Sequence, residues 1–335
     1  MKIKIDQIQA ELGAYIKENP EILAPAIYSK EVKVDKYCDT ITKVNGEYPS
    51  FTSMMSHVVQ GFSSKWTEMG EIQFNAKKLA SYKQKVNFAF VPADMAGSWL
   101  ARMYEEGKEL EDKTISKYIL DQVGKKIISD LNILSLKGER DEDNNVKVFG
   151  KSLNGWSTVV KNARKDTKFP AFSVPLEAIT KVNVVDQFRA FEEGLPALAI
   201  DDLKRIFCSR KVALWYKKAY KDEYGNNPTY KEGDNMISPL LDLEIVPLNI
   251  ADDIIFTTPE WNMKKLIDLI DMPEVTDIQK QDYELKLFFE FTLNYELAVN
   301  QVCYVGNFDA EAVRGLNNKE QNELFFPEED GLIVK

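Results

Sequence analysis

The chain has 335 residues, 44% hydrophobic and 29% charged, the mix of an ordinary globular protein of about two domains with apolar material for a sizeable core. Its net charge of −10, despite 43 Lys and Arg, argues against indiscriminate nucleic-acid binding and leaves room only for a locally basic face. Cys38, Cys208 and Cys303 lie far apart, implying free buried thiols in a reducing compartment; the first residues lack a signal-peptide apolar core and no apolar run reaches about 18 residues, so a cytoplasmic protein is expected.

Ile5, Ile8, Leu12, Tyr15 and Ile16 recur at helical spacing, and Asn19-Pro20 stops that helix. From Pro20 to Phe51 the pattern is poor; the segment reads as an extended arm with a short strand at Glu31–Val34 and a turn at Asn45-Gly46. Gln60 to Gln84 is long, polar and aromatic, with scattered apolar residues (Phe62, Trp66, Met69, Ile72, Phe74, Leu79 and Tyr82) and with Gly61 and Gly70 marking bends. Val86, Phe88 and Phe90 alternate as a strand. A helix is predicted from Asp94 to Glu105, with Met95, Trp99, Leu100 and Met103 on one side and Gly107 past its end. A longer one follows at about 114–136, its stripe Ile115, Tyr118, Ile119, Val123, Ile127, Ile128, Leu131 and Leu134 spaced by threes and fours. At 1.5 Å per residue it spans about 34 Å.

Lys137 to Asn145 is a charged break and a predicted domain boundary. Asn183 is a predicted cap for a helix carrying Val184, Val185, Phe188 and Phe191. Arg205–Cys208 reads as a short buried strand, and Ser209 caps a helix with Val212, Trp215, Tyr216, Ala219 and Tyr220. Pro228 to Asn235 is a loop, Leu243–Leu248 and Ile254–Thr257 are strands, and Asn262–Ile270 is a predicted helix. Tyr283, Leu285, Leu287, Phe289, Phe291 and Leu293 alternate with mainly polar residues, a half-buried antiparallel strand that Leu297–Val305 would continue. The acidic stretch Asn317–Asp330 is expected to have little structure of its own.

Catalytic signals are scarce. Gly150-Lys151-Ser152 resembles the end of a phosphate-binding loop, but Asn145 stands where that motif needs glycine. His57, the one histidine, has no ligand-spaced Cys, Asp or Glu near it, and a Cys38–His57 pair has no support beyond residue type. The acid pairs Glu192-Glu193, Asp201-Asp202, Asp252-Asp253 and Glu328-Glu329 fit turns and solvated faces better than facing glycosidase carboxylates. Trp215-Tyr216-Lys217-Lys218-Ala219-Tyr220-Lys221 fits an amphipathic helix with lysine stems over an aromatic face better than a base-stacking surface. No enzyme activity, cofactor or metal is expected.

A long arm that cannot bury itself, rooted in a strand and backed by one long helix, describes a subunit that needs neighbours. The order of elements resembles the major capsid proteins of tailed bacteriophages, the Hong Kong 97-type fold. Several stretches are similar to versions from phages of Bacteroidetes hosts: Val58-Val59-Gln60-Gly61-Phe62 with Trp66 and Gly70, Ser98-Trp99-Leu100, Trp215–Tyr220, Ile245-Val246-Pro247-Leu248, Phe256-Thr257-Thr258-Pro259 and Asn262-Met263.

The resemblance implies an α+β fold with an N-terminal arm at 1–52 and an extended loop, a β-hairpin, at 57–86. The peripheral domain, at 87–149 and 256–335, carries a long spine helix and an antiparallel sheet, and an axial domain fills 150–255. Phe62, Trp66, Met69, Ile72, Phe74 and Tyr82 become the inter-subunit contacts of the loop, and Ile115, Ile119, Val123, Ile127 and Leu131 the core of the spine helix. The implied function is structural: hexamers and pentamers closing an icosahedral head around double-stranded DNA, assembled in the host bacterial cytoplasm and found in the virion. Portal, scaffolding and decoration proteins are the implied partners, with no membrane. Some members cross-link through lysine and asparagine; Lys77, Lys78 and Lys83 lie in the arm here and Asn262 near the far sheet, but lysines are common on such loops for solubility alone and no buried carboxylate is in view to drive the reaction, so no cross-link is expected. Two other readings fit the residues: the shell of a cellular protein nanocompartment of the same fold, and an acidic carbohydrate-active enzyme.

Overall fold

The computed structural model describes residues 5–18, 31–44, 46–91, 115–144, 147–225, 236–268, 275–327 and 329. The predicted helix at 94–105, the Asn19-Pro20 stop and the 228–235 loop lie outside them.

Two sheets organise the molecule. The first is built on the strand whose alternation is plainest in the sequence, β11 (Glu284–Leu297). Strand β4 (Tyr82–Phe90) runs antiparallel along one edge of it, from Phe90↔Leu285 to Tyr82↔Leu293. The opposite edge takes β10 (Val275–Gln281) along the first half and β9 (Met263–Ile267) along the second. A short β1 (Asp39–Ile41) pairs in parallel with β9.

Helix α2 (Ile115–Lys137) provides the cover. Ile119, Val123, Ile127 and Leu131 are buried on it, in one core with Leu285, Leu287, Phe289, Leu293 and Tyr295 of β11. Ile115 opens the helix. Helix α1 (Ile5–Glu18) packs on α2, burying Leu12, and α3 (Trp156–Lys165) packs on both α2 and β11 through Trp156, Val159 and Val160. The end of α2 closes tightly on the start of α3. Gly155 N–H donates to Gly138 O at 2.9 Å, and a Cβ on Gly138 would sit 2.5 Å from Leu153 O. The charged stretch that follows α2 is folded back on itself, with Glu139 N–H on Gly150 O and Asp141 N–H on Lys151 O.

The second sheet has the order β5-β12-β8-β6-β7, from β5 (Phe172–Pro175), β12 (Tyr304–Asn307), β8 (Ile255–Thr257), β6 (Arg205–Ser209) and β7 (Glu244–Leu248). Both its faces are buried. Ile206, Cys208, Ile245 and Ile255 face a core built with α4 (Val184–Glu193) and α5 (Arg210–Tyr224). Phe207, Val246, Phe256 and Val305 join the core under α2. Strict alternation of short strands thus makes one sheet serve two cores. Ser209 caps α5, its Oγ accepting from Val212 N–H at 3.1 Å. The Asn183 side chain does not cap α4; it accepts instead from Thr180 N–H and Oγ1.

Four further expectations are corrected. Glu31–Val34 is no strand: it leads through turns into a 3-10 turn at Asp35–Tyr37, where buried Asp35 pairs with Lys265 of β9 and accepts from Tyr295 Oη. Of the predicted helix Asn262–Ile270, the described residues 262–268 are not helical; Asn262 ends a 3-10 turn and Met263–Ile267 is β9, held between β1 and β11 and buried on both faces, which erases the alternation that identifies a strand. The chain does not extend the first sheet past Leu297; it crosses to the second sheet at Tyr304. Within Asn317–Asp330, Lys319–Phe325 forms α6, capped by Asn318 and anchored by buried Leu324 and Phe326. Its acid residues disguised that apolar pair.

Candidate functional site

Chemistry-bearing side chains are dispersed. Cys38, Cys208 and Cys303 are buried and free, and burial pushes the thiols of Cys208 and Cys303 up to about 12, so they are protonated and inert at neutral pH. His57 lies exposed, away from buried Cys38. Lys151 is paired with Glu139 at 2.8 Å, and Gly150 turns with φ +95°. Glu192 is buried and accepts from Ser238 Oγ, Leu240 N–H and Leu241 N–H, holding a loop; burial raises its carboxyl. Asp252 is tied to Ser209 and Lys211, whose hydrogen bonds lower it. Among the described residues no group of three or more His, Cys, Asp or Glu could hold a metal ion. No described helix is long and apolar enough to cross a membrane.

What the chain leaves unfinished is a hairpin. Strands β2 (Glu47–Met55) and β3 (Ile72–Ala80) pair over nine residues, from Glu47↔Ala80 to Met55↔Ile72, about 30 Å of ribbon. The ribbon begins at Glu47, within the stretch assigned from sequence to the N-terminal arm. Pleating sorts its side chains to two sides. One side leans on the body at its root: Leu79 is buried with Val44 and Leu266, and Ser50 Oγ donates to Ala298 O at 3.1 Å. The other side carries Phe51 and Phe74, each 76% exposed, with exposed Met55 and Ile72 between them and the tip. Among the described residues nothing covers this apolar sheet face.

The tip, residues 56–71, is closed by few bonds. Ser56 N–H donates to Glu71 O at 3.0 Å, and Gln60 and Thr67 bond to each other across the loop. Gly70 turns the chain at φ +90°, and a Cβ there would lie 2.7 Å from Val58 Cγ1. Phe62 is 100% exposed and Trp66 84%, and Met69 is exposed beside them. Thus Phe62, Trp66, Met69, Ile72 and Phe74 share one bare structure. Tyr82 stands apart: it belongs to β4, is half-buried, and has the Arg140 guanidinium 3.7 Å above its ring. Sequence reading missed Phe51 and Met55, because their exposure shows only once β2 is paired with β3. Their spacing of four, on the same strand face as Ser53, is the signal that could have found them.

The root is firmly held. Lys77 Nζ donates to Leu297 O and Asn300 Oδ1, each at 2.8 Å, and lies 3.2 Å from Glu296 Oε2. Three acceptors around one ammonium satisfy all its donors, which suits a charged clamp and not a nucleophile. Burial raises the Glu296 carboxyl, against the lowering effect of Lys77. Ser81 joins β3 to β4: its N–H donates to Gly46 O at 2.7 Å and its Oγ to Val44 O at 3.0 Å. Lys78 is exposed and paired with Glu47.

No known family model matches the chain by sequence, and no curated protein does. Solved structures do match its fold. The capsid of Myoviridae phage XM1 is 7% identical, over 81% of this chain and 90% of that one, with a TM-score of 0.53. The capsid of an empty GTA particle is 10% identical over 84% and 90%, also at 0.53. The capsid asymmetric unit of cyanophage A-1(L) is 10% identical over 81% and 89%, at 0.51. The chain therefore has the mixed helix-and-sheet fold of phage capsid proteins.

Proposed function

We propose that this chain is the major capsid protein of a tailed bacteriophage, of the Hong Kong 97 type and similar to those of phages infecting Bacteroidetes. It assembles through hexamers and pentamers into an icosahedral head enclosing double-stranded DNA, in the bacterial cytoplasm, with portal, scaffolding and decoration proteins as further partners. Its role is structural and not enzymatic. The observation that carries this reading is the hairpin: an apolar ribbon face and an aromatic tip, held at the root by Lys77 and Ser81 and left uncovered by the other described residues. Such a ribbon gains its stability on another molecule. In this reading the ribbon is the extended loop, lying over a neighbouring subunit and beginning at Glu47; α2 is the spine helix of the peripheral domain, and the second sheet with α4 and α5 forms the axial domain. Identical subunits joined by head-to-tail contacts close into rings, and many weak contacts sum to a stable container.

Size-exclusion chromatography with negative-stain imaging tests this. Rings, shells or tubes are expected; a persistent monomer under all assembly conditions would overturn it. A protein cargo co-purifying in shells free of nucleic acid would instead indicate a nanocompartment.

A further inference from the structure

Helix α5 has a second face that the described residues leave exposed. Val212, Ala213 and Tyr216 bury one side of it, against β6 and β7. On the solvent side Arg210, Leu214, Lys217, Lys218 and Lys221 follow at i, i+4, i+7, i+8 and i+11, a single stripe at 3.6 residues per turn. Leu214, at its centre, is 67% exposed. Among the described residues none of the four cations has an ion-pair partner, whereas Lys211, just off the stripe, is paired with Asp252 at 2.8 Å. An acidic chain that keeps four unpaired cations around one exposed leucine presents a charged docking face.

The reciprocal chemistry lies on another element, the 3-10 turn Ala197–Asp202. Leu198 is 62% exposed there, and Asp201 and Asp202 are exposed without a cation partner among the described residues. With three residues per turn, Leu198 and Asp201 stand on one side. The turn is braced: Ala197 N–H donates to Glu329 Oε1 at 2.7 Å, and Glu329 pairs with Arg314 at 2.7 Å. The helix is braced as well, with Tyr216 Oη on Ile237 O at 2.7 Å. Both surfaces are thus preorganised, which lowers the entropy lost on contact. They make no ion pair with each other within the chain.

We propose that the α5 stripe of one copy docks on the 197–202 turn of a second copy, Leu214 against Leu198 and lysines against aspartates. Two different patches on one chain make a head-to-tail contact, which closes into a ring when repeated by rotation. The proposal rests on the shell reading and names the ring contact within it.

Charge exchange tests it. Lys217→Glu/Lys218→Glu/Lys221→Glu and Asp201→Lys/Asp202→Lys each place like charges opposite one another. Each is expected to lower the yield of rings and shells about tenfold or more at 0.15 M salt, with the melting of the free subunit unchanged because every substituted residue is exposed. Combining the two sets restores opposite charges and is expected to return the yield to within about threefold of the parent. Single sets that assemble like the parent, or a combined variant as defective as either set, would overturn the contact and leave the shell reading standing. A parent chain that never assembles would overturn both.

Discussion

Helix α2 and the β2–β3 hairpin are both long, thin elements, and the chain treats them in opposite ways. The helix places Ile119, Val123, Ile127 and Leu131 inside a core made by its own sheet. The hairpin turns Phe51, Phe62, Trp66 and Phe74 outward and ties itself to the body at the root through Lys77. In the proposed shell the contrast separates two jobs: residues on the helix decide whether a subunit exists, and residues on the ribbon would decide what it does with other copies.

The largest effect on subunit stability is expected from the helix. Leu131→Ala opens a hole under a 3% exposed side chain and should cost about 2–5 kcal/mol in urea unfolding; a loss under about 1 kcal/mol would show that α2 is not part of the subunit's own core. Next comes the junction of the two regions. Lys77→Met removes three donors and leaves Glu296 and the Leu297 carbonyl underserved, at about 1–3 kcal/mol, and faster amide exchange in β3 should accompany it. Gly70→Ala forces a left-handed residue against Val58 and His57, which costs about 1–2 kcal/mol and should disturb the tip while the α2 core melts as before. Smallest on the subunit, and decisive for the comparison, is Phe62→Ser with Trp66→Ser. Surface changes of this kind stay within about 0.5 kcal/mol, yet the loss of two buried aromatics from an interface should weaken assembly by about 2 kcal/mol or more each. Tip variants that assemble normally, or that unfold the subunit, would erase the distinction.

Acidity sharpens the same boundary. Burial raises the carboxyl of Glu296 in the folded chain, so folding takes up a proton at pH above the ordinary carboxyl range. That contribution is complete at low pH and is lost as pH rises through the folded value. Glu296→Gln should remove this slope from the stability profile of the root and leave the melting of α2 alone.

Elements with one apolar face were legible from sequence: α2 by its threes and fours and the first half of β11 by its twos, although from Phe291 to Tyr295 that strand is buried on both faces, Thr292 and Asn294 included; the tip was legible by aromatic residues with no periodic partner. Strand β9 was not, since Met263-Lys264-Lys265-Leu266-Ile267 is buried on both faces and even Lys265 lies inside, paired to Asp35. Burial of a lysine depends on a carboxylate more than two hundred positions away, which no local window contains. The exposed face of β2 was invisible for the same reason: Phe51 and Phe74 join one surface only through the pairing of β2 with β3. The clamp on Lys77 is likewise a tertiary fact, drawn from the end of β11 and the turn beyond it.

One detail of the ribbon has a mechanical meaning. Strand β3 passes through Ser81 directly into β4, and β4 runs beside β11 for nine residue pairs. Ladder bonds in an antiparallel pair stand perpendicular to the strands. A pull transmitted along β4 would load that whole ladder in shear, all bonds together, and would not peel them one by one. In the proposed shell the hairpin would act as a tension member, in a wall that must resist stretching from within.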